Sequence, residues 1–221
     1  MISKDGHEVA CHGPDHRLVY ELSMDEFRRG LRDDKALLED LSGTGVEGYR
    51  APNFSITLRN WWAVAALQEL SFTYDSSVFP FQRKRYGVPK SPLAPFRHNV
   101  RGGSLVELPL TVVKVAGMPI PISGGGYFRL LPRFLLQALV RRLEKEERAL
   151  IFYLHPWEID PDQPRPAGIP LRNSLMHYLN LSSTEDKLDS LLRRFHFGPL
   201  HDIARLHREA TIWSPYEAEH Y

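Results

Sequence analysis

Two histidines, His12 and His16, lie four residues apart directly after a short apolar run, Val9-Ala10-Cys11. At this spacing both rings can turn toward one ion if the chain coils after a strand, and neutral imidazole is the usual nitrogen ligand of zinc and related metals. A hydrolytic metal site normally adds a carboxylate ligand and a base for the attacking water. Before His12 the only acidic residues are Asp5 and Glu8. The pair therefore indicates part of a metal site, and the alternative is a pair of surface or capping histidines.

Composition narrows the kind of partner that this chain can bind. It has 221 residues, of which 43% are hydrophobic, and this is enough for one sizeable core. Lysine and arginine number 28 against 27 acidic residues, so the positive charge typical of a nucleic-acid-binding domain is absent and we expect no nucleic-acid partner. The single cysteine, Cys11, excludes an internal disulfide. No stretch approaches the ~18 apolar residues of a membrane span, and the start lacks the layout of a signal peptide, so we expect no membrane span and favour the cytoplasm.

Strand and helix patterns alternate along most of the chain. A capping box at Ser23 and Glu26 precedes apolar residues at helical spacing, and Gly43 ends the pattern. The predicted helices are 24–42, 58–70, 132–147 and 184–195. The predicted strands are 7–11, 46–49, 72–74, 105–113, 149–154 and a last one at Phe197. Segments 79–103 and 117–126 are rich in proline or glycine and are predicted to be irregular loops.

Such alternation predicts parallel strand pairing with right-handed crossovers, and therefore either an open α/β sheet or a (β/α) barrel. Barrels of this kind assemble their sites at the carboxyl ends of the strands. Five polar residues follow the carboxyl ends of different predicted strands or lie close to them: His12, His16, Arg50, Asp75 and His155. We therefore expect them to contribute to one site.

Five segments, in a fixed order, resemble the motifs of a known family. They are GHEVA at 6–10 running into HGPDH at 12–16, GYRAPNFS at 48–55, YDSSVFP at 74–80, GGGYFR at 124–129 and FYLHPWE at 152–158. Together they resemble the polysaccharide deacetylases, the carbohydrate esterase family with NodB homology that includes chitin and peptidoglycan N-deacetylases. The resemblance is closer to the branch found in exopolysaccharide loci of bacteria that carry exosortase systems.

This resemblance implies a distorted (β/α) barrel over residues 1–199, incomplete at its N-terminus, followed by a weakly patterned tail over 200–221. It also implies a divalent metal, Zn²⁺ above others, held by two histidines and one aspartate. His12 and His16 match the two histidines. The aspartate motif of the family, which supplies the base and the third ligand, has no match before His12. We therefore expect the first strands of the domain to lie upstream of Met1, and this chain alone to be weakly active or inactive.

The resemblance also implies roles for residues in the first half of the chain. Arg50 matches the arginine that orients the catalytic aspartate, and the backbone N–H of Asn53 matches a donor to the oxyanion. Asp75 matches a catalytic aspartate less closely, because Asp75-Ser76-Ser77-Val78 replaces the usual Asp-x-x-Asp-Trp pattern. The alternatives are a salt bridge from Arg50 to an acid such as Glu47, and a helix cap or turn for Asp75.

Three further residues complete the expected site. His155 matches the histidine that acts as general acid, Trp157 is expected to wall the sugar pocket, and Tyr127 follows glycines that could shape a substrate groove. The alternative for His155 is a hydrogen-bonded histidine of the core, and the alternative for Trp157 is a tryptophan of the core. The glycines before Tyr127 could instead form only a flexible turn before the helix at Pro132.

The resulting hypothesis is a hydrolase acting on linear amide C–N bonds, which removes N-acetyl groups from a bacterial exopolysaccharide containing N-acetylhexosamine. A second hypothesis is a carbohydrate-binding pseudoenzyme that keeps the groove without the first motif. A third is a structural subunit of a polysaccharide export assembly, which would need a large exposed apolar patch.

Overall fold

A computed structural model describes residues 2–100, 103 and 105–216 of the chain. It divides into two units, the first made of residues 1–110 and 198–221 and the second of residues 111–197. The predicted α/β class is confirmed. The strands of the described residues form an open five-stranded sheet and a two-stranded hairpin, so they do not close into a barrel. In the part of the chain that the structure describes, no helix is long and apolar enough to cross a membrane.

The five-stranded sheet belongs to the first unit and has the order β1-β2-β4-β3-β7. Its strands are β1 (Gly48–Tyr49), β2 (Tyr74–Asp75), β3 (Phe96–His98), β4 (Val106–Glu107) and β7 (Ile212–Trp213). Strands β1, β2 and β4 are parallel, β3 is antiparallel to β4, and β7 is parallel to β3. The predicted strand 7–11 is reduced to one parallel bridge from Cys11 to Tyr49, because only the N–H and C=O of Cys11 bond to the neighbouring strand.

Helices α1 (Met24–Ser42) and α2 (Trp62–Glu69) cover this sheet. The predicted capping box is present, with the Ser23 hydroxyl accepting from the Glu26 N–H and the Glu26 carboxylate accepting from the Ser23 N–H. Gly43 ends α1 in the left-handed conformation, with φ of 68°. Side chains from both helices and the sheet bury together: Phe27, Leu31, Tyr49, Val64, Leu67 and Phe72. The tail adds helix α7 (Leu200–Leu206) to this unit.

The second unit contains a hairpin and four helices. The hairpin is β5 (Val112–Val115) with β6 (Met118–Pro121), and the helices are α3 (Gly125–Leu130), α4 (Arg133–Lys145), α5 (Leu171–Tyr178) and α6 (Thr184–Leu192). Its core contains Val113, Ile122, Phe128, Leu136, Leu143 and Leu191. The predicted helices 132–147 and 184–195 are confirmed with shorter bounds.

Several strand and loop predictions were wrong. The predicted loop 79–103 contains β3, and the predicted loop 117–126 contains β6 and the start of α3. The predicted strand 149–154 forms only one bridge, between Tyr153 and Gly124, because the N–H of Ile151 bonds to the Thr111 hydroxyl instead of a neighbouring strand. Phe197 lies outside any strand, and the last strand is β7 in the tail.

Candidate functional site

The two predicted metal ligands face each other in the first unit. The ring centroids of His12 and His16 are 5.0 Å apart with an interplanar angle of 68°. Positive φ angles at Gly13 (85°) and His16 (56°) coil the chain between them, as the metal hypothesis requires. Both side chains are exposed. The structure thus brings the two rings into contact, and their role as metal ligands stays a prediction.

A second contact orients His12. Its Nδ1 lies 2.6 Å from the carbonyl oxygen of Arg50, and an Nδ1–H donated to this carbonyl leaves the Nε2 lone pair for a ligand. Metal-ligating histidines are commonly held by such a bond to a backbone carbonyl. The two residues therefore fit a divalent metal that prefers imidazole. Among the described residues, no third histidine, cysteine or acid forms a ligand group with them.

Arg50 lies directly after β1 and reaches across to the residue after β2. Its Nε donates to the Ser76 carbonyl (3.0 Å) and its guanidinium Nη2 donates to the Ser76 hydroxyl (2.7 Å). The Glu47 carboxylate that served as the alternative partner bonds instead to Arg205, at 2.9 Å. Arg50 thus joins the carboxyl ends of two neighbouring strands beside His12.

Asn53 lies in a strained turn after Arg50. Both Asn53 (φ 50°) and Phe54 (φ 53°) are left-handed, which costs on the order of 1 kcal/mol or more for each non-glycine residue. The turn is held by backbone bonds from Phe54 to Ala51 and from Ser55 to Pro52, and by a bond from the Ala51 N–H to the Ser77 hydroxyl. Asn53 itself is exposed. Strain held this firmly at an exposed position is typical of binding sites.

Asp75 is fully buried, so it cannot contact a polysaccharide in this conformation. Its Oδ1 accepts from the Ser76 N–H and the Ser77 hydroxyl, the turn contacts that were the alternative to a catalytic role. It also lies in a buried cluster with His98 and Glu107, in which one ligand atom of each residue is within 4.8 Å of the others. By its residue types this cluster could hold a metal. Sequence reasoning missed it, although an acid between Val106 and Leu108 signals a buried carboxylate that needs partners.

Burial sets the hydrogen bonds and the charges of this cluster. The Glu107 carboxylate accepts from the Val78 N–H at 2.9 Å and lies 2.9 Å from His98 Nε2. Burial raises the pKa of Glu107 to about 7, and burial together with the Glu107 charge raises the pKa of Asp75 well above its usual range. Burial lowers the pKa of His98 to about 4, so this ring is neutral. Asp75 Oδ2 receives no hydrogen bond, and a protonated Asp75 avoids two negative charges side by side in the core.

In the second unit, His155 is held by a buried glutamate. The His155 side chain is half-exposed, its Nδ1 lies 2.8 Å from Glu158 Oε1, and its backbone N–H also donates to that oxygen. Glu158 is fully buried, and its other oxygen accepts from Arg129 Nε at 3.0 Å. A ring that donates Nδ1–H to a fixed carboxylate keeps Nε2 for proton transfer, as a general acid requires. Sequence reasoning assigned no role to Arg129 or Glu158.

Trp157 contacts other side chains. Its ring stacks with His177 (4.2 Å between centroids, 14°) and with His155 (5.6 Å, 20°), and the Arg129 guanidinium lies 5.1 Å from the ring. These contacts make Trp157 a support for His155. They do not test the expected contact with a sugar.

The glycines before Tyr127 serve packing. Gly124 has φ of 138°, and a Cβ there would lie 1.9 Å from the carbonyl oxygen of Tyr153. The chain therefore needs glycine for close approach to its own backbone, and the alternative of a merely flexible turn does not explain this contact. Tyr127 is partly buried in α3, and its expected role in a substrate groove stays a prediction.

The fold is shared with solved hydrolase structures. A candidate polysaccharide deacetylase from Mycobacterium smegmatis superposes with a TM-score of 0.62 and 21% identity, over 96% of this chain and 68% of that one. The Puue allantoinase superposes with a TM-score of 0.55 and 15% identity, over 96% of this chain and 62% of that one. Residues 76–205, more than half of the chain, match the family described as a domain of unknown function (DUF3473), and the chain belongs to this family. No curated protein matches its sequence.

Proposed function

We propose that the protein is a metal-dependent hydrolase that removes N-acetyl groups from an exopolysaccharide containing N-acetylhexosamine. The observation that carries this proposal is the facing pair His12 and His16, with His12 fixed on the Arg50 carbonyl, in a fold shared with a candidate polysaccharide deacetylase. The family of the chain is associated with polysaccharide deacetylases. The order of the motifs resembles that of the exopolysaccharide branch of the deacetylases, and this supports an exopolysaccharide as the substrate.

In this proposal His12 and His16 hold a divalent metal, zinc above others, together with a carboxylate ligand. When bound, the metal would polarise the amide carbonyl and lower the pKa of a water toward ~7. The Nδ1 bond of His12 keeps its ring in the tautomer that can bind. Arg50, fixed by Ser76, supplies a positive charge beside the pair.

Two further residues of the first unit are proposed to stabilise the oxyanion and to position Arg50. The backbone N–H of Asn53 is proposed as a donor to the oxyanion, in a turn whose strain holds its direction. Asp75 is proposed as a positioning residue, because it holds Ser76, which in turn holds Arg50.

His155 is proposed as the acid that protonates the departing amine. Glu158 fixes its ring by accepting from Nδ1. Contacts of Tyr127 and Trp157 with the sugar chain are part of the same proposal.

The test combines zinc content with release of acetate from N-acetylglucosamine oligomers. His12→Ala should lose zinc and activity together, whereas His155→Ala should keep zinc and lose kcat, because an acid acts on the leaving group and not on the ion. His196→Ala, which alters an exposed histidine with no assigned role, is the matched control and should change neither quantity. Stoichiometric zinc in a variant lacking both His12 and His16 would overturn the proposed ligands.

A second candidate is a carbohydrate-binding protein without catalysis. It is favoured by one observation, that among the described residues no carboxylate completes a ligand group with His12 and His16. Binding of the same oligomers without acetate release, at any zinc concentration, would support it.

A further inference from the structure

A basic cavity of about 530 Å³ lies in the first unit, apart from the residues treated above. Its walls are the turn around Tyr20, the segment 57–62 at the start of α2, and the loop 82–89. The volume is within the range of about 300–1,000 Å³ typical of small-ligand pockets. We call this space the basic cavity.

Four cations line the basic cavity: Arg59, Arg83, Lys84 and Arg85. None of the described residues that line it is acidic. No described carboxylate forms an ion pair with Arg59, Lys84 or Arg85, although basic and acidic residues nearly balance over the whole chain. Like charges gathered at one concave surface repel one another, and an anion bound among them relieves that repulsion.

The loop that carries these cations has a defined shape. The Arg83 N–H donates to the Tyr86 carbonyl at 3.0 Å, and the Val88 N–H donates to the Phe79 carbonyl at 2.9 Å. Gly87 has φ of 113°, and a Cβ there would lie 1.9 Å from the Phe81 carbonyl oxygen. These side chains therefore extend from a turn with a fixed backbone. A ligand that binds them causes little further loss of backbone entropy.

Aromatic rings line the same cavity. Tyr20, Trp62 and Tyr86 contribute to its walls, and aromatic faces suit the C–H faces of sugar rings. The ring of Tyr86 also lies 6.0 Å from that of Phe54, the neighbour of Asn53. One wall of the basic cavity is thus continuous with the strained turn assigned to the oxyanion.

We propose that the basic cavity binds an acidic saccharide, a uronate unit of the polysaccharide chain, through arginine and lysine contacts to its carboxylate. This proposal rests on the proposed function, which supplies the polysaccharide substrate. It adds that this substrate is anionic. Guanidinium groups bind carboxylates in a bidentate manner, whereas neutral N-acetylhexosamine offers no charge for them. A localised pocket with three aromatic rings fits a sugar unit better than the extended basic stripe expected for nucleic acid.

The test is titration calorimetry with an oligogalacturonate, a neutral N-acetylglucosamine oligomer of equal length and a single-stranded DNA oligomer. The oligogalacturonate should bind most tightly of the three. Its affinity should fall as the salt concentration rises from about 50 mM to about 200 mM. The double variant Lys84→Glu with Arg85→Glu should lose at least about tenfold in affinity, as should Arg59→Glu. Arg141→Glu, an exposed cation of the second unit, is the matched control and should bind like the unaltered protein.

Equal affinity for the neutral oligomer, tighter binding of DNA, or unchanged binding by the charge-reversed variants would overturn the proposal. The substituted side chains are exposed, so thermal unfolding should stay unchanged and a folding defect can be recognised. Binding is also measured in His12→Ala with a chelator present. Retained binding there, with no zinc, separates the basic cavity from the proposed metal chemistry, so that either can fail alone.

Discussion

Replacement of Glu107 by glutamine should remove a pH-dependent loss of stability. The Glu107 carboxyl is fully buried beside Asp75, and burial raises its pKa from 4.5 to about 7. A raised carboxyl pKa means that the folded protein binds the proton more tightly than the unfolded chain. The contribution of Glu107 to the free energy of unfolding therefore falls as pH rises from about 4.5 to about 7 and is constant above that.

The magnitude follows from the difference between the two pKa values. From 4.5 to about 7 it corresponds to about 3 kcal/mol at 25 °C, a large part of the stability of a typical domain. Glutamine cannot ionise, and its carbonyl oxygen can still accept from the Val78 N–H. Its amide nitrogen then takes the place of Oε2, 2.9 Å from His98 Nε2, and the neutral His98 ring can accept a hydrogen bond there. Glu107→Gln should therefore be at least as stable as the native protein at pH 8, and should lose less stability between pH 5 and 8.

Urea unfolding at pH 5, 6, 7 and 8 measures this difference. Glu144→Gln, which alters an exposed acid on α4, is the control and should follow the native pH profile. If Glu107→Gln loses as much stability as the native protein over this range, the proton is not held by the Asp75–Glu107 pair and the reasoning fails.

Three other perturbations test local features. Ser23→Ala removes the cap of α1 and should cost about 1 kcal/mol in urea unfolding; no loss would mean that the capping box contributes nothing. Gly48→Ala places a Cβ 2.0 Å from the buried Tyr74 ring and should lower the free energy of unfolding by about 1–3 kcal/mol, and an unchanged urea midpoint would contradict this packing. Glu158→Gln weakens the orientation of His155 and should lower kcat and alter its pH profile at unchanged zinc content; identical profiles would exclude a positioning role.

Four of the seven described α-helices, α1, α2, α4 and α6, were predictable because their signals are local, whereas α3, α5 and α7 were not predicted. The Ser23–Glu26 capping box and Gly43 fixed both ends of α1, and Thr57 caps the turn that precedes α2. The spacing of His12 and His16 also anticipated their approach, since a glycine between them permits the required turn. The α/β class followed from the alternation of helix and strand patterns.

The strands were less predictable because every described strand is only two to four residues long. Such strands carry too little periodicity to be recognised, and they exist because distant segments supply their hydrogen-bond partners. β7 pairs with β3 across more than 100 residues, so the tail gave little local sign of a strand. The apolar segment 149–154 had a strong strand pattern, yet it found a side-chain partner at Thr111 instead of a ladder.

The chain's residue types by themselves determined which chemistry is possible: imidazoles for a metal, an arginine after a strand and a histidine for proton transfer. Only the tertiary structure decided which of these side chains are buried and which groups they contact. It buried Asp75 and joined it to His98 and Glu107, because the pairing of β2, β4 and β3 brings Asp75 next to two residues more than 20 positions away in the sequence. It also placed the buried Glu158 between His155 and Arg129. Burial and partner geometry set the charge of each group, and both depend on contacts that no local pattern encodes.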